Sequence, residues 1–299
     1  MAVNVLMTGG TGFLGTVLVR ALRHRGHHVT VLSRHPSQPG EAPWPADGLE
    51  GELLARVDRT DAVINLAGES IAGARWTAAR KQANRVSRVH VTSALAAAIA
   101  AAASPPAVFL SGSAIGFYGV RDDTPLDESS SNGADFLGQV CAEWEAAAQG
   151  AAGCTRVVLL RTGIVLDKRA GALPQMARPF RLGVGGPIGS GAQYMSWIHL
   201  QDWVNLALSA LDRETVSGPL NLTAPSPVTN AEFSRTLAGE LHRPGFMRAP
   251  AFAMRLLLGE MADSLILGGQ RVLPRKAEAE GYAFRYAHLA PAIHSIYGG

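Results

Sequence analysis

What most constrains this chain is the stretch Thr8-Gly9-Gly10-Thr11-Gly12-Phe13-Leu14-Gly15. Before it, Val3, Val5, Leu6 and Met7 predict a short buried strand. After it, Val17, Leu18, Ala21 and Leu22 recur at helical spacing as far as Arg25-Gly26, a stop signal. The glycines therefore occupy a turn from strand to helix. Glycine permits a tight turn and close backbone approach, and the helix N-terminus presents unpaired N–H groups. A dinucleotide pyrophosphate is held in such a place. Gly9, Gly12 and Gly15 read G-x-x-G-x-x-G, slightly different from the common G-x-G-x-x-G, and an ordinary βα turn is the competing reading.

The next strand narrows the ligand. Residues 28–32 end in Ser33-Arg34-His35, where an acid would bind the adenosine ribose hydroxyls and favour NAD. No acid stands there. Ser33 and Arg34 supply a hydroxyl and a guanidinium, which suit a 2′-phosphate, so NADP(H) is the expected cofactor and a solvated arginine the alternative.

Composition sets the outer bounds. In 299 residues, 47% hydrophobic content and 17% charged content describe a folded chain with room for one large domain and an appendage. A net charge of +3, with no basic cluster interleaved with aromatics, gives no support to a nucleic-acid partner. The cysteines, Cys141 and Cys154, lack metal-ligand spacing, so no metal and a reducing cytoplasm are expected. The glycine loop begins too early for a secretory leader, and the alanine-rich run over 94–103 is too short for a membrane span.

Along the chain, residues 36–50 read as a surface loop, 53–57 as a short helix or turn, and 61–68 (DAVINLAG) as a strand ending in small residues that leave room for a ligand. Residues 69–99 read as mostly helical, with Lys81, Arg85 and Arg88 on one face, either solvated or turned toward phosphates or an acidic substrate. Residues 107–110 form a strand running into Ser111-Gly112-Ser113-Ala114-Ile115-Gly116-Phe117-Tyr118-Gly119. An exposed acidic loop follows over 121–135, then a helix over 136–148 and a strand over 156–160. Strands alternating with helices indicate an α/β fold with a doubly wound parallel (Rossmann) sheet. Beyond it, 183–191 reads as a flexible glycine-rich segment, 195–199 and 218–222 as strands, 200–211 as a helix, and 229–232 as a capped helix start. The expected division is a dinucleotide-binding domain over 1–165, its sheet completed from within 195–225. A smaller, mainly helical substrate region follows over 166–299. It ends in a helical piece at 244–299 with Phe252, Leu256 and Met261 as apolar contacts.

TGGTGFLG at 8–15, NLAG at 65–68, SGSAIGFYG at 111–119 and SWIHLQDWVNLAL at 196–208 occur in that order. With them the chain resembles the extended and atypical short-chain dehydrogenase/reductases of the NAD-dependent epimerase/dehydratase superfamily. AGESIAGARWTAARK at 67–81, DFLGQVCAEWEAAA at 135–148 and GQRVLPRKAEAEGYAF at 269–284 make it most similar to the YfcH-like, epimerase-like subfamily. The resemblance implies that Gly9, Thr11, Gly12, Phe13, Leu14 and Gly15 meet the pyrophosphate, and that Ser33 and Arg34 lie near the adenosine. It implies Ala67 and Gly68 near the linked ribose and Arg161, Gly163 and Ile164 near the nicotinamide. The active-site serine falls at Ser113, with Ser111 as second choice, and Tyr118 and the His199/Asp202 region border the substrate pocket.

One departure bears on chemistry. The family's usual pair is a tyrosine followed four residues later by a lysine, which lowers the tyrosine's pKa and binds the nicotinamide ribose. Four residues after Tyr118, Tyr194, Tyr282 and Tyr286 stand Asp122, Ile198, Tyr286 and Ala290, and Tyr297 lies too near the end. The helix where the pair belongs reads Phe136-Leu137-Gly138-Gln139-Val140-Cys141. Another proton donor is therefore expected. Tyr118 leads, ahead of Ser113, Cys141 or water, with Glu69 and Glu143 behind. The leading expectation is an NADP(H)-dependent oxidoreductase or epimerase-like enzyme on a small molecule. The alternative is a catalytically silent cofactor-binding sensor or partner-binding protein. A homodimer through a helical face is left open.

Overall fold

The computed structural model describes residues 2–45 and 51–298. The expected loop over 36–50 lies outside the described residues in its final part. Seven strands make one parallel sheet: β1 (Asn4–Thr8), β2 (His28–Ser33), β3 (Glu41–Pro43), β4 (Ala62–Asn65), β5 (Val108–Ala114), β6 (Arg156–Thr162) and β7 (Gly218–Leu222). Their order is β7-β6-β5-β4-β1-β2-β3, so the winding reverses between β1 and β4. A doubly wound sheet opens its ligand crevice at that reversal, beyond the carboxyl ends of the strands.

Strand periodicity decides which helix covers which face. Val5 and Met7 of β1, Ala62 and Ile64 of β4, Val108 and Leu110 of β5, and Val158 and Leu160 of β6 share one core with α1 (Phe13–His24) and a later helix over Leu200–Asp212. The alternate residues Leu6, Val63, Phe109, Val157 and Leu159 face the other way. They pack on α2 (Glu52–Val57), α3 (Ala78–Ala101) and α4 (Phe136–Gln149). A strand buried on both faces needs an apolar residue at every position, which is why these runs show no alternation.

Small parallel and antiparallel ladders hold the second half together. Ile164–Leu166 pairs with Trp197–His199, and Tyr194–Met195 with Val228–Thr229. A separate core of Leu173, Phe180, Trp197, Phe233, Leu237 and Ile293 lies beneath them. The run expected as one strand over 195–199 is thus two short strands serving two ladders. The segment over 183–191 is packed rather than loose: a Cβ at Gly185 would lie 2.3 Å from Phe180, and one at Gly186 would lie 2.3 Å from the Met247 carbonyl. Helix formation over 69–99 begins only at Ala78, where Thr77 Oγ1 accepts the Arg80 N–H at 3.1 Å. Phe252 and Leu256 are 72% and 79% exposed, so of the apolar contacts expected in the end-piece only Met261 is buried. Among the described residues no helix is long and apolar enough to cross a membrane.

Candidate functional site

The glycine turn joins β1 to α1 at the crevice. Gly9 has φ +71°, a left-handed conformation that favours glycine, and a Cβ there would lie 2.4 Å from the Leu66 carbonyl carbon. A Cβ on Gly15 would lie 2.1 Å from the Gly9 oxygen. The Gly12 N–H closes the turn on that same oxygen at 3.1 Å, and Gly12 begins α1 without a side-chain cap. No acidic residue stands in the first turn. Thr11 and Gly12 are exposed, Phe13 and Leu14 half-buried. The first N–H groups of α1 consequently offer positive potential to an anion with no carboxylate beside them. This cradle fits a diphosphate.

At the end of β2, Ser33 Oγ accepts the His35 N–H at 3.2 Å, and Arg34 is exposed. Both stand at the carboxyl end of β2, on the side of β1 away from β4. The end of β4 is fixed from below. Thr8 Oγ1 donates to Asn65 Oδ1 at 2.6 Å, and that oxygen also takes the Ala67 N–H at 3.1 Å. Asn65 Nδ2 donates to Thr92 Oγ1 at 2.7 Å. Gly163 carries the chain from β6 into the second half. A Cβ there would lie 2.6 Å from the Ser196 oxygen, and the half-buried Ile164 donates its N–H to the same oxygen at 2.9 Å.

The residues expected to do chemistry are placed differently. Ser113 Oγ, 4% exposed, donates to Glu145 Oε1 at 2.6 Å. Arg161 grips Glu145 with two bonds of 2.8 Å, from Nε and Nη2, and is itself 3% exposed. Its Nη1 reaches the Tyr118 oxygen at 3.0 Å, and the Tyr118 hydroxyl donates to Asn221 Oδ1 at 2.7 Å. Asn221 in turn gives its backbone N–H to Glu128 Oε1 at 3.0 Å. A bidentate pair inside such a chain leaves few sites unsatisfied, the condition under which buried charge is tolerated.

Several expectations change as a result. Tyr118 is fully buried, and burial pushes its hydroxyl up to about 12 despite the neighbouring Arg161, so it belongs to the core and not to a pocket wall. Arg161, expected near the nicotinamide, is buried and paired with Glu145. Ser111 is fully buried within β5, with only a long 3.5 Å contact to the Gly112 oxygen. Burial raises the Cys141 thiol to about 12, removing it as a ready proton donor. The basic face of α3 is committed to its neighbours: Lys81 pairs with Glu260, Arg85 with Glu143, and Arg88 is buried. Glu69 lies 3.7 Å from Arg80. The loop over 121–135 is partly built in, because Glu128 bonds the N–H groups of Asn221 and Lys276. Burial raises the Glu128 carboxyl above its ordinary range.

Glu145, Asn221 and Glu128 were not singled out from sequence. Glu145 carried a usable signal, since it shares a helical stripe with Val140, Cys141, Trp144 and Ala148 and is the one acid among them. Asn221 and Glu128 meet through separations in sequence of 93 residues, which no local pattern encodes.

Comparison with known proteins places this architecture. The NAD dependent epimerase/dehydratase family model matches residues 5–222, and a domain of unknown function matches 249–296. The epimerase family protein ML0860 of Mycobacterium leprae is 41% identical over 97% of this chain and 94% of its own length. The crystal structure of human epimerase family protein SDR39U1 (isoform2) with NADPH superposes with TM-score 0.91 at 39% identity, covering 99% of each chain. A nucleoside-diphosphate sugar epimerase from Corynebacterium glutamicum gives 0.82 at 33% identity, across all of this chain and 59% of that one. The chain belongs to the NAD-dependent epimerase/dehydratase family.

Proposed function

We propose that this protein binds NADP(H) and uses it as an oxidoreductase or epimerase-like enzyme on a small carbonyl, imine or secondary alcohol. The observation that carries the reading is the pairing of an acid-free glycine turn with Ser33 and the exposed Arg34 at the end of β2. The human relative solved with NADPH supports it. When bound, such a cofactor supplies or takes a hydride at its nicotinamide ring. This chain's residues set the rest. Gly9, Gly12 and Gly15 admit the diphosphate, with Thr11, Phe13 and Leu14 around it. Ala67 and Gly68 lie beside the adenosine-linked ribose, and Gly163 and Ile164 border the nicotinamide end.

Ser113 stands at the end of β5, where a substrate oxygen would rest. Its hydroxyl hydrogen is committed to Glu145, which Arg161 grips with two further bonds. With its hydrogen so committed, the Ser113 oxygen is left to accept, and toward a substrate it would take an O–H or N–H rather than polarise a carbonyl. A second reading, a cofactor-binding protein without turnover, is favoured by one observation. The helix that should carry the tyrosine and lysine presents Leu137 and Cys141, both buried.

The test of the cofactor assignment is Arg34→Ala, read as the ratio of NADPH to NADH affinity. Loss of one charge-assisted contact weakens NADPH about tenfold or more and leaves NADH unchanged. Equal losses would remove the 2′-phosphate assignment. A panel of carbonyl, imine and alcohol substrates, followed by nicotinamide absorbance, separates the enzyme from the silent binder.

A further inference from the structure

The second half of the chain carries apolar side chains that no other described segment covers. The helix over Ala251–Leu258 has no buried residue, and Arg255 is its one charged member. A helix apolar on every side is ordinarily enclosed. This one leaves Phe252, Leu256 and Leu257 between 67% and 79% exposed. Phe252 and Leu256 stand about one turn apart on one face, with Arg255 beside them. Just before the helix, the stretch over 246–249 runs extended beside 185–189. The Met247 N–H donates to the Gly185 oxygen at 3.1 Å, and the Ala249 N–H to the Pro187 oxygen at 3.0 Å. Side chains alternate along such a stretch, so Phe246, 80% exposed, shares one side with the exposed Arg248. Leu182, also exposed, extends the patch from the end of the helix over Leu173–Arg181, whose Phe180 would lie 3.7 Å from a Cβ on Gly245.

Charge on these segments has one sign. No Asp or Glu occurs between Asp167 and Asp202, or between Glu240 and Glu260. Arg178, Arg181, Arg243 and Arg248 are exposed, and none is ion-paired among the described residues. The bordering acids are bonded to basic side chains: Glu240 to His294, Glu260 to Lys81 and Asp263 to Arg255. A second copy would pair through the same patch on both subunits and set these arginines against one another. An anionic partner answers them. A docked peptide helix needs a groove, whereas side chains 67–80% exposed project from the surface. Projecting Phe and Leu flanked by Arg is the pattern of a segment that enters the headgroup region of a bilayer.

We infer that this face docks on an anionic lipid bilayer, with Phe246, Phe252 and Leu256 entering the headgroup boundary and Arg243 and Arg248 meeting lipid phosphates. The chain lies on the bilayer and does not span it, since a helix of eight residues is too short to cross. The docked helix is tied to the crevice-bearing half, because Leu258 packs with Trp76, Leu137 and Met261. The inference stands apart from the cofactor reading.

The experiment is flotation of the whole chain with vesicles of phosphatidylcholine alone and of phosphatidylcholine with about one-third phosphatidylserine, at low and high salt. Wild type should bind the anionic vesicles at least about tenfold more tightly than the neutral ones, and less tightly as salt rises. Phe246→Ser with Phe252→Ser should weaken that binding about 10- to 100-fold. Arg243→Gln with Arg248→Gln should weaken it about 10- to 30-fold. Melting curves check that these surface changes keep the fold. Should the serine pair fail to fold, Phe252→Trp carries the test, because its added indole emission should shift to shorter wavelength on anionic vesicles. No vesicle binding, equal binding to both compositions, or binding that the variants leave unchanged overturns the inference. So does self-association in sedimentation, or capture by polyglutamate, that the serine pair abolishes while vesicles are not bound; the face would then belong to a second copy or to an acidic polypeptide.

Discussion

The glycine turn and the Ser113–Tyr118 cluster lie at the same edge of the same sheet, yet they are built on opposite plans. At the turn, the backbone sets the shape: Gly9 and Gly15 are fixed by contacts a Cβ would violate, and the outward groups, Thr11 and Arg34, are left open. At the cluster, the polar groups face each other. Ser113, Glu145, Arg161, Tyr118 and Asn221 form one buried chain of bonds between 2.6 and 3.0 Å. A residue type associated with catalysis can thus be spent on holding strands together, and openness, not identity, separates the two uses.

Substitutions should divide along that line. Glu145→Ala strips the carboxylate from a buried arginine and should cost about 3–5 kcal/mol of stability, measured by urea unfolding. Near-wild-type stability would show that water replaces the carboxylate and that the cluster is open after all. Gly15→Ala forces the turn apart, because the new methyl would overlap the Gly9 oxygen. About 1–3 kcal/mol of strain, seen both in the melt and as NADPH binding weakened about 10- to 100-fold, is expected. Unchanged binding would mean that the turn holds no phosphate.

Tyr118→Phe should have the smallest effect. It loses one buried hydrogen bond, about 1 kcal/mol, and leaves any turnover and the NADPH affinity within about twofold. A large fall in turnover would return Tyr118 to the reaction. Its titration gives a second readout. Between its ordinary value near ~10 and the folded value of about 12, the unfolded chain has released the proton and the folded chain keeps it. Stability should therefore fall as pH rises through that window, and Tyr118→Phe should flatten the slope.

Sequence was informative where local order and backbone conformation decide the outcome. The strand, turn and helix over the first 25 residues follow from periodicity and glycine spacing, as do the apolar strands of the sheet. Charge placement was less legible. Arg88 reads as one of three basic residues on a helix face, but its register with Thr92, Leu95 and Ile99 puts it on the buried stripe, while Lys81 and Arg85 find acids on other elements. Tyr118 follows a central strand, as a pocket tyrosine would, and only the approach of Asn221 from β7 and Arg161 from β6 shows that its hydroxyl is enclosed. Such contacts join distant segments, and spacing along one helix or strand does not encode them.

The central claim is that the open end of the crevice is an NADP(H) site. Its most direct test is a titration of the purified protein with NADPH and with NADH, read by nicotinamide fluorescence. Saturable NADPH binding at least about tenfold tighter than NADH, the scale of one charge-assisted contact, is the predicted result. Binding of neither dinucleotide would contradict the account and leave the glycine turn as architecture alone.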